Sequence, residues 1–391
     1  MSRKIGVLIA GLNGAVGNTI VVGTFAASAD GDHSLNGMLT ETDWFKGVHF
    51  PELKDFVFGG WDLNNRTAFD IAIGNQIISE NDVHKQRNSL EAILPMKGVT
   101  CKPDYYFNQD NQWEKKCESL SDCLDELKAD IYRFKSENSL DSCYVVNLTS
   151  PPRAVIENPS NIGMKELMEM VYNNNEQISA PILYAIAAVC AGSGFVDFTS
   201  SQTLDINGIL EMANDHKALI AGRDGATGET ALKASLAEFF QKRNLHVSGW
   251  FSTNILGNND GRVLENAEHG KLKFSDKMKL LPQILGYTDF ENIVRINYYR
   301  PRGDNKEAWN VVDFKGWLGM DMSLRINLLG RDSILAAPLV LDIIRHMNYS
   351  KEIGDFGNLK HLGLYFKYPI GNVPKAFSES FEELLSYYRK S

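Results

Sequence analysis

Residues 4–10, Lys-Ile-Gly-Val-Leu-Ile-Ala, are a nearly unbroken apolar run, which predicts a strand buried on both faces. Gly11 to Gly17 then turn the chain into a helix expected over 18–28. A strand, a glycine loop and a helix in that order open a dinucleotide-binding unit. After a long polar insertion, a second strand is expected at Phe56 to Gly59, ending in Gly60-Trp61-Asp62. Leu120, Leu124, Leu127, Ile131 and Phe134 recur at helical spacing and predict an amphipathic helix from Ser119 to Lys135, with Ser119 and Asp122 as its start signal. Cys143 to Leu148 reads as another buried strand, and helices at 163–173 and 181–191 with a strand at 195–198 continue the alternation. Such an order predicts an α/β fold with a parallel sheet covered by helices on both faces.

Beyond residue 225 the pattern changes. Leu232, Leu236, Phe239 and Phe240 suggest a helix face, after which period-two alternation takes over. Val294, Ile296 and Tyr298 alternate with Arg295, Asn297 and Tyr299, as Leu324, Ile326 and Leu328 do with Arg325 and Asn327. This pattern suits a half-exposed sheet, often a surface for a neighbouring subunit. A helix over Ser333 to Met347 is expected to precede a short C-terminal pair of elements.

Composition narrows the class. At 391 residues, two structural units are expected, and 43% apolar with 23% charged residues is ordinary for a globular protein. The net charge of -9 argues against a nucleic-acid partner. Arg3 and Lys4 before an apolar run imitate a signal peptide, but Asn13, Asn18 and the recurring glycines interrupt it. Ile182 to Gly192 is too short to span a bilayer, so no membrane partner is expected. The five cysteines are odd in number and show no CxxC or Cys/His spacing, which favours reduced thiols in a cytoplasmic protein.

Four stretches carry candidate chemistry. The loop Gly11-Leu12-Asn13-Gly14-Ala15-Val16-Gly17 has glycines that let backbone N–H groups approach a pyrophosphate at a helix start, although a plain strand-to-helix turn looks the same. Asp62 could bind ribose hydroxyls or merely cap a turn. Gly222 to Thr230, with Asp224 and Thr227, reads equally as a ligand loop or as a helix cap. Asn254 to Gly261 gathers Asn258, Asn259 and Asp260 at a strand end, where a surface turn is the alternative. Lysines at 271, 273, 277, 279, 306 and 367 taken singly read as solvated surface groups.

Several segments in order resemble the myo-inositol-1-phosphate synthase family over nearly the whole chain. They are GLNGAVGNT at the start, FGGWD at 58–62, GNNDG at 257–261, RGDNKEAW at 302–309, GRDSILAAPLVLDIIR at 330–345 and YFKYP at 365–369. The resemblance implies a Rossmann-type NAD-binding domain, discontinuous over 1–230 and 335–391. A largely β catalytic and oligomerisation domain is inserted at 231–334, and the assembly is expected to be a homotetramer. It implies conversion of the sugar phosphate glucose 6-phosphate to an inositol phosphate, with NAD regenerated within each turnover. A divalent metal or a monovalent cation accompanies the reaction in family members, and no His/Cys site decides which.

By the same resemblance, Lys273, Lys306 and Lys367 form a catalytic trio converging beside the nicotinamide, with Lys277 as a phosphate or oxyanion contact. Asp224, Asp304 and Asp332 are placed to orient the lysines, while Thr149, Ser150, Thr227, Asn258 and Asp260 line the cofactor cleft. Fixed ammonium groups suit this chemistry because negative charge develops on substrate oxygens beside a phosphate dianion. The chain departs from the family where DxKSGQT becomes Asp224-Gly225-Ala226-Thr227-Gly228-Glu229-Thr230, and where an NGSPQN-like segment becomes Phe198-Thr199-Ser200-Ser201-Gln202-Thr203. A related carbocyclase acting on another sugar phosphate, or an NAD-dependent dehydrogenase, are the competing activities.

Overall fold

A computed structural model of the chain describes residues 3–30, 34–104, 113–153, 156–257 and 280–390. The chain divides into two compact units, one built from residues up to Gly225 with Ala336–Gly371, the other from Ala226–Leu335 with Asn372–Lys390.

The first unit holds a seven-stranded sheet in the order β11-β6-β5-β4-β1-β2-β3. Its strands are β1 (Ile5–Ala10), β2 (Phe56–Asp62), β3 (Met96–Lys97), β4 (Ser142–Asn147), β5 (Gly194–Asp197), β6 (Leu219–Gly222) and β11 (Gly357–Asn358), and all its pairings are parallel. Read from β3 to β6, this is the doubly wound order of a Rossmann-type fold. Every residue of β1 and β4 is buried, which explains their continuous apolar runs.

Helices Ala15–Asp30, Leu120–Asn138 and Ala180–Cys190 carry the predicted segments within a few residues of the expected bounds. Ser119 caps the second of these by accepting from the Asp122 N–H at 3.1 Å. Trp61, fully buried on β2, donates its indole N–H to Asp130 on that helix at 2.8 Å. The insertion before β2 is pinned rather than loose. Asp342 accepts from the backbone N–H of Leu39 and the hydroxyl of Thr40, and Arg345 donates to Thr40 at 2.8 Å.

The second unit holds a four-stranded mixed sheet, β10-β9-β7-β8. Its strands are β7 (His246–Leu256), β8 (Glu291–Tyr298), β9 (Asn305–Lys315) and β10 (Asp321–Arg331). Helix Gly228–Lys242 covers one face through Ala234, Ala237 and Phe240, which meet Trp250, Val312 and Phe314. Phe239, expected on the buried face, is half exposed, because the helix turns its alanines inward.

Two expectations need correction. The segment after Gly371, expected with the NAD-binding domain, groups with the second unit, and within it Phe377–Lys390 is a helix. Hydrogen bonds from Ser378 N to Glu238 at 3.1 Å and from Lys242 to Ser378 at 3.1 Å tie it to helix Gly228–Lys242. The cysteines are not all free either. Cys117 and Cys123 are joined, since the chain entering helix Leu120–Asn138 brings their Cα atoms to 5.4 Å.

Candidate active site

In a parallel sheet with both faces covered, polar side chains emerge where strands end, and ligands gather at the carboxyl ends. The first unit follows this rule on five strands. At the end of β1, Gly11 has φ +90°, and an added Cβ would stand 3.0 Å from the Leu148 carbonyl oxygen, so a larger residue is excluded. The N–H groups of Gly11 and Leu12 bond to the Trp61 carbonyl. Gly17 lets the helix start close on the loop, because a Cβ there would meet the Gly11 oxygen at 2.7 Å. Gly14 is exposed, and Ala15 and Val16 begin helix Ala15–Asp30, whose first N–H groups have no intrahelical acceptor.

Asp62 ends β2 beside this loop. One carboxylate oxygen accepts from Asn13 N at 2.8 Å, and the other accepts from Leu63 N and Asn64 Nδ2, both at 2.8 Å. Three of roughly four lone-pair sites are thus occupied, which leaves room for a further donor. Asp62 therefore caps its turn and keeps acceptor capacity. Burial pushes its carboxyl upward, opposed by the donated N–H groups. Asn13 donates from Nδ2 to Asn64 and to the Arg66 carbonyl. Its buried Oδ1 has no hydrogen-bond partner among the described residues, a cost that a ligand donor would relieve.

Asn147 ends β4 and accepts from the hydroxyl of Thr149 at 2.8 Å, holding Thr149 against the glycine loop, with Ser150 exposed beside it. Asp197 ends β5 wholly buried, accepting from Ser201 Oγ at 2.6 Å and from Asn147 Nδ2 at 3.0 Å. Burial pushes its carboxyl up to about 7, against those hydrogen bonds and Arg223. Past β6, Asp224 sits at φ +61°, its N–H on the Thr199 carbonyl. Lys367 donates its backbone N–H to the Asp224 carbonyl at 2.7 Å and its ammonium to the Asp224 carboxylate at 2.6 Å. Four strand spacings separate β2 from β6, about 19 Å at 4.8 Å each, a span suited to an extended dinucleotide.

The second unit places the other candidates. Lys306 on β9 donates to Asp332 at 3.1 Å, and Ser333 donates to Asp304 at 3.0 Å. Thr227 is the N-cap residue of helix Gly228–Lys242 without a side-chain cap bond. On β7, Asn254 is 1% exposed, and neither of its amide atoms has a partner among the described residues. Lys273, Lys277, Asn258, Asn259 and Asp260 lie outside the described residues, as do Lys271 and Lys279. Among the described residues, no group of three or more His, Cys, Asp or Glu side chains is placed to hold a metal ion.

Three polar groups escaped the sequence reading: Asn147, Asp197 and Lys233. The first two end buried apolar strands just as Asp62 does, so a polar residue closing such a strand was their signal. Lys233 is a lone cation deep in a helix that faces a sheet, and only packing reveals its surroundings.

The residues present fit NAD: a glycine cradle, an orphaned acceptor at Asn13 and a carboxylate with acceptor capacity. Comparison with known proteins agrees. The family profile described as myo-inositol-1-phosphate synthase, an NAD-binding family, matches residues 5–389. The inositol-3-phosphate synthase 1 of Bacteroides thetaiotaomicron is 32% identical, with 94% of this chain and 90% of that protein covered. The inositol-3-phosphate synthase of Saccharomyces cerevisiae is 25% identical over 88% of this chain and 73% of its own length. Among solved structures, inositol-3-phosphate synthase of Caenorhabditis elegans shares the fold at a TM-score of 0.88, with 23% identity, covering 98% of this chain and 85% of that one. The chain belongs to the myo-inositol-1-phosphate synthase family.

Proposed function

We propose that this protein is an inositol-3-phosphate synthase, converting D-glucose 6-phosphate to 1D-myo-inositol 3-phosphate. The observation that carries the reading is similarity along the whole chain to proteins bearing that name, at 32% identity for one of them. The reaction oxidises C5 of the substrate, forms an enolate at C6, closes the ring by attack of C6 on the C1 aldehyde and reduces C5 again. NAD, when bound, supplies the reversible hydride acceptance and leaves no net redox change.

The protein's own groups do the remaining work. Gly11, Asn13, Gly14, Ala15, Val16 and Gly17 receive the pyrophosphate, and Asp62 receives the adenosine ribose. Thr149, Ser150, Thr227, Asn258, Asn259 and Asp260 line the cofactor. Asp224 holds Lys367 by a 2.6 Å bond, and Asp332 holds Lys306 by a 3.1 Å bond. Each carboxylate orients an ammonium group for the substrate oxygens on which negative charge develops. Lys273, Lys277 and Asp304 complete the set on family likeness.

The homotetramer rests on the open face of the second sheet, where Trp309 and Leu329 are 48% and 61% exposed. A divalent metal or monovalent cation is added as a requirement on family likeness alone. The test is incubation with glucose 6-phosphate and catalytic NAD, with the product identified by NMR. Formation of an inositol phosphate without NADH accumulation supports the synthase. Steady NADH production would establish a dehydrogenase instead. A related carbocyclase is favoured by Ala226 and Glu229, which replace the lysine and glutamine of the family segment, and turnover of another sugar phosphate alone would select it.

A further inference from the structure

Lys233 lies in the middle of helix Gly228–Lys242, on the second unit, and its side chain turns back toward the helix start. Its ammonium stands 3.0 Å from Glu229 and donates to Ser252 Oγ on β7 at 2.8 Å. Both charges are shielded, with the side chains 13% and 8% exposed. Alternation along β7 puts Ser252, Asn254 and Leu256 on one face, and Leu256 stands directly opposite Lys306 on β9. Lys306 therefore projects from the same face as Ser252, to which Lys233 donates, and it carries its own carboxylate, Asp332.

A buried ion pair is weak evidence for stability, since a packed apolar residue often serves as well. A cation kept beside a second cation asks for a different reason. Burial lowers the Lys233 pKa most, Glu229 opposes the shift, and Lys306 adds to it. Coulomb interaction is mutual, so Lys233 acts on Lys306 as Lys306 acts on Lys233.

We propose that the Lys233–Glu229 pair is a positioning element of the reaction that sets the charge state of Lys306. The inference rests on the catalytic role assigned to Lys306. Lys233 favours the neutral amine of Lys306, Asp332 in direct contact and Glu229 behind Lys233 favour its ammonium, and the balance of the three keeps Lys306 able to give and take a proton at working pH.

The test reads the Lys306 pKa directly, by competitive acetylation of the full protein with acetic anhydride across pH and mass spectrometry of the Lys306 peptide. Lys233→Met should raise that pKa on the order of one unit, and Glu229→Gln should lower it by a similar amount. The limb of the kcat/KM profile governed by Lys306 should move with it, and Lys233→Arg should restore the original profile. Lys233→Met leaves Glu229 buried and unpaired, so it could fail to fold. In that case the Lys233→Met/Glu229→Gln double variant serves, and its Lys306 pKa should lie above that of Glu229→Gln alone. Equal pKa values in all variants, or shifts of the same sign for the two single changes, would overturn the proposal. If Lys306→Ala keeps full turnover while the shifts appear, the assignment of Lys306 fails and the electrostatic coupling stands. If Lys306→Ala is inactive and no shift appears, this inference fails alone.

Discussion

Strands β1 and β4 are buried at every residue, whereas β10 alternates between exposed and half-buried positions from Ser323 to Arg331. That difference decides where each unit can hold polar groups. With both faces covered, the first sheet shows its polar side chains at strand ends, as Asp62, Asn147 and Asp197 do. The second sheet is covered by a helix on one face, and Ser252, Asn254, Lys306 and Asn310 stand along the strands on that face. Strand ends suit an extended ligand that crosses several strands. A covered face suits fixed charges, because the surrounding protein keeps water from screening them.

The largest effect tests whether ends and face matter equally. Lys367→Ala removes an ammonium from a strand-end loop, and Lys306→Ala removes one from the sheet face. Each should lower turnover by about 10³-fold while calorimetric NAD affinity stays unchanged. Loss with only one of them would confine the chemistry to one unit.

Next comes Asp197, the buried carboxyl at the end of β5. Its folded pKa is raised from 3.8 to about 7, so the stability it contributes is full below 3.8 and is lost as pH rises through about 7. Asp197→Asn cannot ionise and should gain stability over the native protein at pH 8 relative to pH 4, by on the order of 1 to 3 kcal/mol. Urea denaturation at both pH values measures it. A difference independent of pH would show that the Asp197 carboxyl ionises in the fold as it does in the unfolded chain.

Reduction of the Cys117–Cys123 bond is a control outside both arrangements. The bond closes a loop with a sequence separation of 6, and its loss should cost about 2 kcal/mol in denaturation with and without dithiothreitol. Turnover at saturating NAD should not change. The smallest effect is expected at Asp62. A carboxylate repels the extra phosphate of NADP, so Asp62→Asn should reduce the preference for NAD over NADP about tenfold in fluorescence titration. Unchanged preference would leave Asp62 with its turn-capping bonds alone.

Legibility followed the same division. The strands of the first sheet stood out because burial on two faces demands unbroken apolar runs, and a strand followed by glycines and a helix start has few other uses. The glycine loop, Asp62 and the helix capped by Ser119 were visible for that reason. The final helix, Phe377–Lys390, was not. Its hydrogen bonds to Glu238 and Lys242, 140 and 136 positions away in the chain, show what holds it. Phe239 was misplaced because adjacent aromatic residues cannot both face the sheet, and contact of Phe240 with Trp250 and Phe314 selected the face that carries Phe240 and the alanines.

Sequence alone determined the strand–loop–helix opening, the order of the alternating elements and the family, because apolar periodicity and ordered segments are properties of the chain itself. It also supplied the candidate lysines and aspartates as residue types. Tertiary structure decided which of them pair. Asp224 meets Lys367 across 143 positions of sequence, Lys306 meets Asp332 across 26, and Asn13 meets Asp62 across 49. No local pattern encodes such contacts. Each arises because strands far apart in the chain end, or align in register, at one place in the folded sheet, and that alignment is set by the burial of the whole strand rather than by the two residues that meet.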